Sequence, residues 1–75
     1  MNRISVNSSN IASVGYDHNS MTLEVEFKSG SIYQYFDVPE FEYQNLISAG
    51  SVGGYLSQNI KNNYRYTQIW LIVFV

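Results

Sequence analysis

The chain contains no cysteine. Disulfide staples, thiolate zinc sites and cysteine nucleophiles are therefore excluded, and a reducing, cytoplasmic setting is expected. Histidine occurs once, at His18. With carboxylates scattered along the chain, that leaves no plausible zinc set, so no metal is expected and no cofactor is implied. Positive charge is scarce: four basic residues face six acidic ones, for a net charge of −2. A general nucleic-acid binder driven by backbone phosphates needs a net basic field, which this composition does not provide; a small local site is still compatible with it. Length is also short. At 75 residues the chain forms one domain that buries only about 60–65% of the surface its unfolded form exposes, so a deep enclosed active site is not expected. The longest apolar run, Ile69 to Val75, has seven residues, far fewer than the ~20 that span a bilayer, and no membrane association is expected. The N-terminal "MNRISVNSSNIA" is polar and has no apolar leader core.

Hydrophobic residues nevertheless make up 45% of the chain and aromatics 16%, with seven tyrosines, a globular composition. In "NIASVGYD", Ala12, Val14 and Tyr16 fall on one face and Ser13, Gly15 and Asp17 on the other, which predicts a strand. "DHNS" is a turn cluster. "MTLEVEFK" alternates cleanly, with Met21, Leu23, Val25 and Phe27 opposite Thr22, Glu24, Glu26 and Lys28: a strand with one buried and one wet face. "SIYQYF" is a third strand, and its register decides where Tyr33 and Tyr35 point. A two-residue Ser29-Gly30 loop opposes Val25 to Gln34 and turns the tyrosines outward. A three-residue Lys28-Ser29-Gly30 loop, with Gly30 left-handed, opposes Val25 to Tyr33 and Leu23 to Tyr35 and turns them to the core. The first register buries the Gln34 amide, at a cost of about 1–3 kcal/mol if it is unsatisfied, so the second is preferred. It moves Ile32 and Phe36 to the outer face.

"DVPEFEYQNLISAG" predicts a helix. Asp37 and Glu40 have capping-box spacing, Pro39 suits the first turn, Pro39, Tyr43, Leu46 and Ile47 form an apolar stripe, and Gly50 ends it. Phe41 lies opposite that stripe. "SVGGYLSQNIK" predicts a second helix, with Ser51 as N-cap and Val52, Tyr55, Leu56 and Ile60 facing inward. The expected architecture is α+β: a three-stranded antiparallel sheet followed by a helical hairpin on one face, with an apolar, strand-like C-terminal tail.

The segments "SSNIASVGYD", "LEVEFKSGSIYQYFDVP", "GGYLSQNIK" and "YRYTQI" resemble the KTSC domain, which takes its name from a C-terminal segment of some lysyl-tRNA synthetases and also occurs as short stand-alone bacterial and phage-type proteins. The likeness covers about Ser8 to Ile69 and centres on the signature Tyr-x-Tyr, here Tyr33 and Tyr35. The resemblance carries no activity to transfer; the synthetase context suggests RNA. Relatives tend to stop soon after the final Tyr-x-x-Ile segment, whereas this chain continues with "WLIVFV", residues 70–75.

No catalytic group stands out. His18 beside Asp17 has the makings of a base and its orienter, but the pair sits in a turn where solvation explains both residues. Ser8, Ser9 and Ser13 lack a G-x-S-x-G context, and Glu24 and Glu26 lie on the wet side of a strand rather than across a cleft. Two ligand-binding patterns are present. Ser51, Gly53 and Gly54 place free N–H groups at a helix start, which suits a phosphate, although the motif has no lysine of the P-loop kind and an ordinary N-cap explains them better. Lys61, Tyr64, Arg65 and Tyr66 are the densest basic-aromatic cluster, able to hold phosphate and stack a base, although a loop packed on the sheet edge would also place them there. The unalternated tail reads as a strand buried on both faces or paired with another chain. Ile32, Phe36, Trp70, Ile72 and Phe74 are then the candidate oligomer interface. Gly30 and Pro39, with the two signature tyrosines, are assigned structural roles. The expectation is a non-enzymatic module acting through apolar surface, as a homo-oligomer or with a protein partner; the alternative is an RNA- or nucleotide-binding module.

Overall fold

The computed structural model describes residues 1–70. The predicted tail beyond Trp70, with Ile72 and Phe74, lies outside the described residues. The chain is α+β as expected, but among the described residues the sheet has five strands rather than three: β1 (Arg3–Ser5), β2 (Ile11–Asp17), β3 (Thr22–Phe27), β4 (Ile32–Tyr35) and β5 (Tyr66–Ile69), all antiparallel and in the spatial order β1-β2-β3-β4-β5. Helices α1 (Glu40–Ser48) and α2 (Val52–Tyr55) lie between β4 and β5. The two added strands have no hydrophobic alternation to reveal them. β1 is three residues of mixed character, and β5 falls in the segment read as a connecting loop; both are edge strands held by backbone pairing to a neighbour that is already in place.

The second register is the one formed. Leu23 pairs with Tyr35, Val25 with Tyr33 and Glu24 with Gln34. Gly30 takes φ +98° and its N–H donates to the Phe27 carbonyl at 2.9 Å, a conformation that a side chain would strain. Gln34 thereby reaches the outer face, where its amide donates to Glu24 at 2.9 Å. That face is a polar ladder: Arg3 donates to Glu24 at 3.2 Å and Ser13 donates to Glu26 at 2.9 Å. Gly15 makes room for it, because a Cβ there would lie 2.6 Å from the Asn2 carbonyl oxygen.

The alternation read in β2 is broken by a bulge between Ile11 and Ser13. The extra residue changes the phase, so Ile11, rather than Ala12, joins Val14 in the core. The inner face, with Leu23, Val25 and Tyr35, packs against Val38, Leu46, Val52, Leu56 and Ile60. Tyr16 stacks on Tyr43 with ring centroids 5.3 Å apart, and its hydroxyl donates to the Val38 carbonyl at 2.6 Å.

Both helices differ from expectation in detail. The Asp37–Glu40 capping box does not form: Pro39 occupies the cap position without a side-chain bond, and Asp37 sits at φ +58° with its carboxylate paired to Arg65. Ser51 does cap the second helix, accepting from the Gly54 N–H at 3.1 Å. After only one turn, however, that helix widens into a π-helical stretch, Leu56–Ile60, closed by the Lys61 N–H donating to the Leu56 carbonyl at 2.8 Å. Asparagine side chains take up carbonyls along it: Asn59 donates to Tyr55 and Asn63 to Asn59. Tyr35, 4% exposed, carries the structural half of the tyrosine signature. Tyr35→Ala should lower unfolding free energy by about 3–5 kcal/mol in urea titrations, as large aromatic truncations in cores do.

Candidate functional site

Residues of the sheet and of the helical layer together line a cleft of about 590 Å³. Four segments build it. The Ser8–Asn10 turn precedes β2. Ser8 Oγ accepts from the Ile11 N–H at 3.2 Å and donates to Asn10 Oδ1 at 3.2 Å. The Asn10 carbonyl accepts from the Lys28 N–H at 2.9 Å, which ties this turn to the second wall, the Lys28–Ser31 hairpin. The third wall runs from Gly53 through Leu56 and Ser57 to Lys61 and Asn62. Gly53 permits a close approach here: a Cβ there would sit 3.0 Å from Asn10 Oδ1, so the Asn10 side chain would have to give way. The floor is aromatic. Tyr33 packs edge-on against Phe27 with centroids 5.7 Å apart, and Tyr66 lies 5.9 Å from both Tyr33 and Tyr35. Burial, with Tyr33 and Tyr66 beside it, pushes the Tyr35 phenol above its ordinary pKa. Tyr66 is 60% exposed and Tyr33 half-buried, so their rings are available from the cleft.

The electrostatics of the cleft are one-sided. Among the described residues its lining includes Lys28 and Lys61 and no carboxylate. Neither lysine forms an ion pair among the described residues, whereas both arginines do.

The candidate residues are thus divided. Lys61, Tyr66 and Gly53 meet in the cleft, together with the signature pair Tyr33 and Tyr35. Ser51 and Gly54 lie in a shallower neighbouring depression, where the Ser51 hydroxyl already occupies the N–H of Gly54. Arg65 points elsewhere: it pairs with Asp37 at 2.8 Å and lies 5.6 Å from the Phe36 ring. Tyr64 is turned inward and donates to Glu42 at 2.9 Å. Of the proposed interface, Ile32 is only 9% exposed, Phe36 is half-buried, and Trp70 is 73% exposed. His18 is not oriented by Asp17; its Nδ1 meets Glu40 at 2.7 Å on the open surface.

Sequence reasoning did not single out Asn10, Lys28, Ser57 or Asn62 as site residues, because they come from three segments far apart in the chain and only folding brings those together. It also missed Glu42. This carboxylate is 8% exposed and accepts from the hydroxyls of both Tyr55 and Tyr64. Its spacing of four from Leu46 places it on the inner helix face, a signal masked by its charge. Among the described residues no group of three or more His, Cys, Asp or Glu side chains is placed to hold a metal, and no helix is long and apolar enough to cross a membrane.

The comparisons with known proteins agree on one family, whose KTSC domain matches residues 7–64. The chain belongs to the KTSC domain family. A KTSC domain protein from Yersinia pestis has the same fold, with a TM-score of 0.89 and 39% identity over 92% of this chain and 97% of that one. A small uncharacterised protein of Stutzerimonas stutzeri is 43% identical over 70 residues, covering 92% of this chain and 99% of its own. A lysine--tRNA ligase of Nostoc sp. is 43% identical over 54 residues, 72% of this chain but only 10% of the ligase. In that enzyme the KTSC domain is an appended piece.

The Glu42 cluster has a measurable signature. Burial and the Glu42 carboxylate push the Tyr64 phenol up to about 12, from the 10.0 of a free tyrosine. A folded-state value above the unfolded one contributes stability that is complete below the unfolded pKa and is lost as pH rises through the folded one. Thermal stability should therefore fall between about pH 10 and pH 12, the range between those two values. Tyr64→Phe should flatten that fall and lower stability at neutral pH by about 1–3 kcal/mol, since Glu42 loses a donor. Melting curves across the pH series check both.

Proposed function

We propose that this KTSC domain is a non-catalytic binding module whose cleft takes single-stranded RNA. The observation that carries this reading is the convergence of both lysines with the exposed Tyr66 ring and the half-buried Tyr33 ring in one cleft that, among the described residues, has no carboxylate in its lining. Lysine ammonium groups attract phosphate, and the flat faces of Tyr66 and Tyr33 offer a stacking platform worth about 1–3 kcal/mol per base. The cleft volume, about 590 Å³, is in the range of pockets that enclose a small ligand, so the footprint is short. The presence of the domain in ligases whose name includes tRNA supports an RNA context. A cysteine-free chain suits the cytoplasm, where such a ligand is found.

Two phosphate contacts release few counterions. Affinity for a single-stranded oligoribonucleotide should fall with salt with a log–log slope near −1.4, at about −0.7 per contact. Lys28→Ala combined with Lys61→Ala should abolish that slope, whereas Arg65→Ala, whose guanidinium is held by Asp37, should leave binding unchanged. No binding at low salt in fluorescence anisotropy, or binding indifferent to the lysine pair, would remove RNA as the ligand.

A second reading, self-association, rests on Trp70. It is 73% exposed immediately after β5, an edge strand of the described sheet. An apolar side chain of this size beside an open strand edge favours pairing with a second copy or a protein partner. Deleting residues 70–75 should then shift the protein toward monomer in light scattering. A full-length chain that stays monomeric at high concentration would exclude this reading.

A further inference from the structure

In antiparallel pairing, successive residues of a strand turn their backbone groups alternately to one side and the other. Next to β5, the Phe36 N–H donates to the Arg65 carbonyl at 2.9 Å. Two and four residues further on, Thr67 lies opposite Gln34 and Ile69 opposite Ile32. Thr67 and Ile69 therefore spend their backbone groups on β4, while those of Tyr66 and Gln68 point away from the sheet. No turn or loop hydrogen bond reaches the backbone of Tyr66 or Gln68 among the described residues. The opposite edge is guarded: β1 has only three residues and carries Arg3, a short charged edge that discourages pairing. β5 has no such guard. From Tyr66 to Trp70 the sequence reads YTQIW, without charge or proline, and five further apolar residues follow.

We infer that a second copy of this chain adds its own β5 to this edge, antiparallel about a two-fold axis at Gln68; the inference rests on the self-association reading and names its surface. The residue pattern is self-complementary. Outward-pointing backbone groups must meet outward-pointing ones, so a pair centred on Gln68 sets Gln68 against its own copy and Tyr66 against Trp70 of the second copy, twice. Tyr66, Gln68 and Trp70 share one face by the alternation of the strand. Tyr66 is 60% exposed and Trp70 73% exposed, so each ring gains cover from the other. Among the described residues, a register centred elsewhere leaves one of these two rings unmatched by the other. A carboxamide carries both donors and an acceptor, so Gln68 can bond its own copy. No charge opposes the approach, because Arg65, just before the strand, is held by Asp37 at 2.8 Å. Four partly covered aromatic rings, at roughly 150 Å² each, would bury on the order of 600 Å², which suits a weak, reversible dimer. Tyr66 also belongs to the cleft, so Trp70 of the second copy would extend its aromatic floor.

The test is analytical ultracentrifugation of the full chain over a concentration series. The wild-type chain should show a reversible monomer–dimer equilibrium. Gln68→Pro removes the N–H at the centre of the pair and spares the β4 ladder, as an edge proline with its nitrogen toward solvent does; it should abolish the dimer. Gln68→Lys and Gln68→Glu keep that N–H and set like charges against each other. Each should weaken its own dimer by on the order of fivefold, whereas an equimolar mixture of the two should dimerise more tightly than either alone. These two exposed-edge variants keep the question open to measurement even where Gln68→Pro fails to fold. A wild-type dimer that survives Gln68→Pro, or a mixture no tighter than the separate variants, would overturn the pairing about Gln68 and leave self-association standing through another surface. A wild-type chain that is monomeric at every concentration would end both.

Discussion

The turn at Lys28–Gly30 governs the rest of the molecule. Gly30, at φ +98°, lets the chain reverse in three residues while Phe27 donates to the Ser31 carbonyl at 2.8 Å. Because side chains alternate with a period of two, one residue more or less in this loop would exchange the two faces of β4. As formed, the turn sends Tyr35 into the core, leaves Tyr33 at the margin of the cleft and places Gln34 against Glu24 on the polar face. The same choice sets the pairing of β5, since Tyr66 lies opposite Tyr35 and Gln68 opposite Tyr33. A single backbone conformation thus orders the aromatic floor.

The segment that leads from the helices back to the sheet is held by a different kind of interaction. Glu42, buried on α1, accepts from Tyr55 and Tyr64, one on each side of the π-helical turn. A buried carboxylate is costly alone and tolerable when hydrogen-bonded by neighbouring hydroxyls. Here the two phenols satisfy it, and in doing so they fix both ends of the stretch that carries Lys61 and Asn62. The wide turn between them provides the extra residue per turn that this path requires. Outside, the Arg65–Asp37 pair is exposed on both partners and contributes little by itself. It does remove Arg65 from the cleft, whose lining among the described residues keeps the two lysines as its cations.

Family membership and site chemistry are separate matters in this protein. The match over residues 7–64 and the Yersinia pestis structure establish a KTSC fold. They assign no reaction, and fold alone does not imply one. The functional reading instead rests on local features: two lysines without ion pairs among the described residues, a graded series of tyrosines from buried Tyr35 to exposed Tyr66, and a rim of serine and asparagine.

Much of this arrangement was legible before folding, and the limits have physical reasons. Alternation in "MTLEVEFK" marked β3, because a half-buried strand must alternate. The cost of burying Gln34 selected the correct register, and helical spacing marked Val52, Leu56 and Ile60 as core. The bulge at Ala12 was invisible because one inserted residue changes phase without changing composition. β1 and β5 were invisible because edge strands are specified by the neighbour they pair with more than by their own residues. Tyr64 and Arg65 were read as ligand contacts beside Lys61 and Tyr66, but Glu42 and Asp37, which are remote in sequence, claim them. By itself, then, the sequence determined the secondary elements with strong periodicity, the hairpin register and the family, since these depend on local pattern and on single-residue costs. Tertiary structure alone decided which of the basic and aromatic residues face one cleft, because that depends on distances between segments far apart in the chain.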